Sequence, residues 1–438
     1  MNYSETCEYL YHQIPMFERQ GSAGYKAGLD NTLALDEHLK HPHQSYATIH
    51  IAGTNGKGSC SHTIAAILQQ CGYRVGLYTS PHLVDFRERI RVNGVPVSEE
   101  YVVDFIEKER GFFEPLHPSF FEITTAMAFQ YFKDMDIDIA VVEVGLGGRL
   151  DCTNIISPIL SVITNISFDH MQFLGNTLEK IAAEKAGIIK KGIPVVIGEA
   201  NEQTRPVFEQ KADEVGAPVI FAEDTPEVVS AYTNPGGGMH YSTKLMGDID
   251  GDLGGIYQQK NMNTVLVAVR ELSKLGYIYL SEDTEKYPRG NSEIREAVGH
   301  VAEKTGLMGR WQTIQTAPLV VCDTGHNVGG WQYVSQQLGQ MRYRQLHIVF
   351  GMVGDKDVDA VLLLLPRHAK YYFTKADNER ALDESQLLSM AAKHGCEGVS
   401  YPNVKEAYMA AMSAATSEDM IFVGGSSYVV GDFLKYCR

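Results

Sequence analysis

Lys57 stands in the turn Gly53-Thr54-Asn55-Gly56-Lys57-Gly58-Ser59, directly after an apolar run that ends at Ala52. Glycines at such a turn let backbone N–H groups converge on phosphate oxygens at a helix N-terminus. A lysine adds a mobile positive charge, and a hydroxyl suits a phosphate or a divalent cation. The chemistry is triphosphate binding, with Thr54, Asn55, Gly56, Lys57, Gly58 and Ser59 as contacts. The turn departs from the usual phosphate loop: Gly58 takes the place of its serine or threonine, and Ile51 that of its first glycine.

Four further stretches carry reactive groups. Tyr78-Thr79-Ser80-Pro81 delivers hydroxyls at a strand end, as a capped turn or a ligand edge. Val141-Val142-Glu143-Val144-Gly145 puts a carboxylate in an apolar strand, which is costly unless it meets a cation; Glu143 is a metal-ligand candidate, or a carboxylate that caps a loop or pairs with Arg149. Ser167-Phe168-Asp169-His170 follows a strand, and Lys185 lies in the helical stretch Ala183-Glu184-Lys185-Ala186. Asp323-Thr324-Gly325-His326-Asn327 ends another strand in a polar loop, where Asn327 also suits a helix cap.

These groups need a scaffold that gathers loops at one edge. Short apolar runs alternate with amphipathic ones, the pattern of a parallel sheet with helices on both faces. The patterning predicts strands over 46–52, 74–79, 139–144, 159–163 and 194–197, and helices over 58–70, 120–134 and 177–190. A glycine-interrupted stretch over 232–258 predicts hairpins. A second strand and helix series begins near Leu319, with LVVCD, LHIVFGM, YYFTK and MIFVGG as strands. The fold class is α/β: a phosphate-loop, doubly wound, mostly parallel sheet in residues 1–304, and a smaller Rossmann-like α/β domain in residues 305–438. The boundary falls near Thr305 to Gly309.

Composition narrows the partners. Of 438 residues, 38 are basic and 54 acidic, a formal charge of −16 that argues against a nucleic-acid or anionic-membrane surface. The seven cysteines are scattered with no Cys-x-x-Cys pair, so reduced thiols in a cytoplasmic protein are expected rather than a zinc site. No leader pattern and no long apolar span is evident.

GTNGKGS, YTSPHL with RERI, EVGLGGRLDCTN, SFDH, EKAGIIK and DTGHN, in this order, resemble the folate-pathway branch of the Mur ligase superfamily. The resemblance implies ATP-dependent ligation of L-glutamate to dihydropteroate, and to tetrahydrofolate and its derivatives, through an acyl phosphate. It implies magnesium at two sites, and a monovalent cation such as K+ as a further expectation. It makes Lys57, His170, Lys185 and His326 the catalytic set, and Ser80, Glu143 and His170 magnesium ligands, with Lys185 added if carbamylated by carbon dioxide. Asn261, Arg310 and Asp323 become nucleotide contacts, and His326 is expected to approach when the domains close. The pterin is expected against Gly24, Tyr25, Lys26 and Ala27, against Phe120, Phe121, Glu122 and Ile123, and against Leu150, Asp151 and Cys152, with Phe120 and Phe121 as stacking rings. A monomer is expected. Relatives commonly read Asp-Gly-Ala-His-Asn-Pro where this chain has Asp323-Thr324-Gly325-His326-Asn327-Val328.

Three alternatives stand beside this reading. A cell-wall Mur ligase would need a UDP-binding domain ahead of the phosphate loop, for which some fifty residues leave no room. An enzyme limited to polyglutamylation would extend reduced folates and reject dihydropteroate. A phosphate-loop binding protein would bind nucleotide with no dependence on a carboxylate and an amine.

Overall fold

β-Branched and other apolar residues in β1 (Ala47–Ala52) form the central strand of the first sheet. A computed structural model describes residues 1–15, 28–234, 236–280 and 288–437; Gly24, Tyr25, Lys26 and Ala27 lie outside the described residues. The further strands of this sheet are β2 (Val75–Tyr78), β3 (Ile90–Val92), β4 (Val95–Pro96), β5 (Ile139–Glu143), β6 (Leu160–Ile163), β7 (Val195–Ile197) and β8 (Val219–Phe221). Their order is β4-β3-β2-β5-β1-β6-β7-β8. The six strands from β2 to β8 in that order are parallel, and β3 and β4 add an antiparallel edge.

Parallel pairing has one consequence for chemistry. The carboxyl ends of β2, β5, β1 and β6 fall at one edge, so the stretches after Tyr78, Glu143, Ala52 and Ile163 emerge side by side. Ile51 of β1 pairs directly with Glu143 of β5.

Helices keep these ends in place. The helix Lys57–Gln70 opens on Gly56, whose φ of 84° is a left-handed value that favours glycine. The helix Phe120–Asp134 starts at a capping box in which Ser119 and Glu122 satisfy each other's backbone N–H groups. It docks on β2 where the Tyr78 hydroxyl meets Thr124 and Thr125 at 3.0 and 3.1 Å. The helix expected over 177–190 stops early, at Leu178–Ala186. Gly187 then packs so close to Arg149 that a Cβ would lie 2.3 Å from its Cα, and Lys190 turns away to the Asn154 carbonyl at 2.9 Å. The helices Glu99–Phe113, Arg205–Val215 and Gln258–Lys274 complete the frame without having been anticipated.

The glycine-rich region forms a three-stranded sheet of β9 (Val228–Thr233), β10 (Met239–Thr243) and β11 (Gly247–Gly251), in the order β11-β10-β9. Six further strands, β12 (Gln312–Thr316), β13 (Leu319–Asp323), β14 (Leu346–Phe350), β15 (Lys370–Thr374), β16 (Gly398–Tyr401) and β17 (Met420–Gly424), form a third sheet. Its order is β12-β13-β17-β14-β15-β16, parallel except for the antiparallel edge strand β12. Its core centres on Trp331, Phe350 and Phe422.

Contacts divide the chain into two compact units. The first holds Met1–Tyr232, His240–Asp252 and Gln258–Leu307; the second holds Thr233–Met239, Leu253–Tyr257 and Met308–Arg438. Two short segments that a linear division at 304 assigns to the first domain thus pack with the second. All seven cysteines are free thiols, and among the described residues no helix is long and apolar enough to cross a membrane.

Candidate active site

In the first unit the phosphate loop is clamped from two sides. Thr54 N–H donates to the Asn165 carbonyl at 2.9 Å, Asn55 N–H to Asn165 Oδ1 at 3.0 Å, and Asn55 Nδ2 to Ser167 Oγ at 3.2 Å. Thr164 Oγ1 donates to the Asn55 carbonyl at 2.5 Å. Thr54 Oγ1 also donates to the Ser167 carbonyl at 3.2 Å, so the Thr54 and Asn55 side chains and their N–H groups hold the loop against the segment after β6. Asn261 closes the other side, where a Cβ on Gly56 would lie 2.3 Å from its Oδ1. Gln258 Nε2 donates to Ser59 Oγ at 3.1 Å and Asn261 Nδ2 to Gln258 Oε1 at 2.8 Å, so two side chains of the helix Gln258–Lys274 index the loop.

Two lysines meet there. Lys57 Nζ donates to the Gly53 carbonyl at 3.2 Å and to the Thr54 carbonyl at 3.3 Å. Lys185 Nζ donates to the same Gly53 carbonyl at 2.8 Å and is 4% exposed. Burial, and then the charge of Lys57, lower the Lys185 pKa from 10.5 to about 7, while Asp169 and Asp151 pull the other way. Two lysine amino groups share one carbonyl, and the charge of the first lowers the proton affinity of the second; an arriving anion would relieve that crowding.

Glu143 ends β5 buried beside the loop strand, and its carboxylate accepts from Ser80 N–H at 3.3 Å. Arg149 is not its partner: that guanidinium takes Glu184 Oε1 at 2.8 and 3.1 Å. One carboxylate, the Ser80 hydroxyl and the oxygens of a bound phosphate fit a magnesium ion, which keeps several waters and takes few protein ligands. Among the described residues no group of three or more His, Cys, Asp or Glu side chains could hold a metal ion. His170, half-buried with a left-handed φ of 49°, lies with Nε2 3.8 Å from Asp169 Oδ1.

The expected pterin residues divide. Phe120 is buried against Phe86 and Tyr11 and carries the Arg89 guanidinium 5.0 Å over its ring; it is a core residue, not a stacking surface. Ile123 is likewise inside. Successive helical residues point about 100° apart, so only Phe121 of the two rings stays partly exposed, where it packs on Gly145. Glu122 is taken up by the helix cap, accepting from Ser119 N–H at 2.6 Å. Leu150 and Cys152 are half-buried, and Asp151 caps the turn Cys152–Ile155.

In the second unit, Asp323 at the end of β13 is fully engaged. Its Oδ2 accepts from the Tyr257 hydroxyl at 2.5 Å and Trp311 N–H at 2.8 Å, and its Oδ1 from Gly325 N–H at 2.7 Å. Burial raises its pKa against the pull of these donors and of Arg310. The Arg310 guanidinium bonds the Thr324 hydroxyl and the Gly309 carbonyl, the latter at 3.2 Å, and His326 Nδ1 lies 3.1 Å from the Thr324 carbonyl. Asn327 does cap the following helix, accepting from Gly330 N–H at 2.9 Å. Tyr257, Gln258, Asn165 and Thr164 were missed because each acts through a long-range bond to a loop rather than through a motif of its own.

The model described as Mur ligase middle domain matches residues 51–224, and that described as Mur ligase, glutamate ligase domain matches residues 309–427. A Bacillus subtilis protein named dihydrofolate synthase/folylpolyglutamate synthase is 32% identical over 424 residues, covering 94% of this chain and 95% of its own. The chain belongs to the Mur ligase family. It is an ATP-dependent, amide-forming ligase, and its fold is that of the family's folate branch. The structure of E. coli FolC in complex with DHPP and ADP superposes with a TM-score of 0.81 at 29% identity, covering 100% of this chain and 97% of that one. A bifunctional folylpolyglutamate synthase/dihydrofolate synthase with Mn, AMPPNP and L-glutamate bound gives 0.78 at 28%, covering 100% and 98%.

Proposed function

We propose that this chain ligates L-glutamate to dihydropteroate, forming dihydrofolate, and to reduced folates such as tetrahydrofolate, lengthening their glutamate tail. The observation that carries the reading is the pair of lysine amino groups, Lys57 and Lys185, on the Gly53 carbonyl beside Glu143, a site that would receive a triphosphate and its cation. The E. coli and Mn-bound relatives support the substrate set by what they hold.

A carboxylate is a poor acyl donor. Its oxygen attacks the γ-phosphorus, the bond from that phosphorus to the β,γ-bridging oxygen breaks, and ADP leaves. The glutamate amine then attacks the acyl-phosphate carbonyl; a C–N bond forms, the C–O bond to phosphate breaks, and the amine proton is lost. Lys57 would follow the β- and γ-phosphoryl oxygens while the loop N–H groups hold them, so negative charge is met where it develops. Ser80, Glu143 and His170 would hold magnesium, which supplies neutralisation of the phosphoryl oxygens.

A Lys185 pKa of about 7 leaves a large fraction as the neutral amine, the form that would attack carbon dioxide, forming the N–C bond, opening one C=O bond and releasing one N–H proton to solvent. The carbamate so formed would convert the second lysine on Gly53 into an anion for a second magnesium ion, with K+ as a further occupant. Asn261, Arg310 and Asp323 would be nucleotide contacts, and His326 a further member of the catalytic set. The enzyme would act as a cytoplasmic monomer.

The test is ADP release with ATP, magnesium and glutamate, adding dihydropteroate or tetrahydrofolate separately and identifying products by mass. Turnover with both is expected. Turnover with tetrahydrofolate alone would leave a polyglutamylase, and no acceptor-dependent ADP release would sink the substrate assignment.

A further inference from the structure

We infer that His50 is a positioning residue: from inside β1 it holds the wall of the site that receives the acceptor, through Thr153 and Asp151. The inference rests on the proposed placement of the pterin against Phe121, Leu150 and Cys152.

His50 is wholly buried in β1, where Thr48, two residues earlier on the same face, is the other buried polar side chain. Its Nε2 lies 2.8 Å from Thr153 Oγ1. That hydroxyl lies 2.5 Å from Asp151 Oδ1, which also accepts Thr153 N–H at 3.0 Å, while Asp151 Oδ2 accepts Leu146 N–H at 2.8 Å. A carboxylate offers only acceptors, so the single hydroxyl hydrogen of Thr153 goes to Asp151. The hydroxyl oxygen must then accept from His50, which fixes the Nε2–H tautomer. Nδ1 is buried with no hydrogen-bond partner among the described residues. Burial, with Lys190 nearby, drops the imidazole pKa to about 3, so the ring stays neutral; burial raises the Asp151 pKa against the pull of its Leu146 and Thr153 donors, so the direction of the relay holds while that carboxyl is ionised.

The relay ends on the acceptor wall. Asp151 both caps the turn Cys152–Ile155 and ties down Leu146, and the neighbouring Gly145 sits so close to Phe121 that a Cβ would lie 2.4 Å from the ring. The same strand runs two residues further into Ala52 and the phosphate loop. One strand thus sets both where the phosphates sit and where the acceptor's wall stands, and His50 is the side chain that transmits the second.

The experiment measures steady-state kinetics, with acceptor and ATP varied separately. His50→Leu keeps bulk and loses the donor; His50→Gln restores an N–H for Thr153; Thr153→Val and Thr153→Ser repeat the contrast at the next link. The expected result is an acceptor KM raised about tenfold in His50→Leu and Thr153→Val, with the ATP KM within about twofold of the parent. His50→Gln and Thr153→Ser should recover most of the loss. An unchanged acceptor KM in His50→Leu, a parallel rise in both KM values, or no recovery in His50→Gln would overturn the inference. If His50→Leu does not fold, the Thr153 pair decides by the same criteria. Phe121→Ala separates the two readings: if it raises the acceptor KM while the relay variants do not, only the relay fails, and if it leaves that KM unchanged, the wall itself is misplaced.

Discussion

The two loops proposed to contact nucleotide solve opposite electrostatic problems. In the first unit, Lys57 and Lys185 bring two amino groups to one carbonyl, and burial has already pulled the proton affinity of Lys185 down. In the second, Asp323 accepts from a hydroxyl and two backbone N–H groups. An anion would relieve the charge crowded at the first loop, whereas Asp323 has its donors within its own unit. Charge left for a ligand belongs to function, and charge met by neighbours belongs to the fold.

Substitutions can break this contrast. Lys57→Ala should cut acceptor-dependent ADP release by about a thousandfold, with urea unfolding unchanged; undiminished ligation would remove the proposed phosphate role. Asp323→Asn should act on the fold, costing about 2–4 kcal/mol in urea unfolding, because its NH2 group faces a donor that has lost its acceptor. A variant as stable as the parent would show that the second loop is not held as described.

The pH dependence of stability reports Lys185. Its folded pKa of about 7 lies below the ordinary 10.5, so folding sheds a proton between those values. The penalty is complete below about pH 7 and fades as pH rises toward 10.5. Stability should therefore climb over that window by up to ~1.4 kcal/mol per pH unit from this group. Lys185→Met should remove the climb, as read by urea unfolding between pH 7 and 9.5; identical pH slopes would place the lysine in a more solvated setting.

The smallest effect concerns Glu122, a satisfied carboxylate in the first unit. Glu122→Ala should cost about 1 kcal/mol through the lost cap bond to Ser119 N–H and leave the acceptor KM unchanged. A raised KM with unchanged stability would return Glu122 to the substrate site.

Much of the fold was legible because its signals are local. The strand, turn and helix around Gly53 to Ser59 follow from an apolar run, two glycines and a helical stretch within about twenty residues. The helix Phe120–Asp134 carries its own start signal in Ser119 and Glu122. Glu122 stood among the expected pterin contacts through the family resemblance, and the same local signal engages its carboxylate in the cap.

What the sequence by itself determined is the set of parts: a phosphate loop, polar groups at strand ends, and a second α/β series. Tertiary structure decided which parts meet. The strand order β2-β5-β1-β6 put Glu143 beside Ile51, brought Lys185 to the carbonyl already used by Lys57, turned Phe120 inward and Phe121 outward, and closed His50, Thr153 and Asp151 into one relay. Periodicity and capping are set by residues within a few positions of one another. Burial and hydrogen bonds between distant segments depend on which strands become neighbours, and that is fixed only when the sheet assembles.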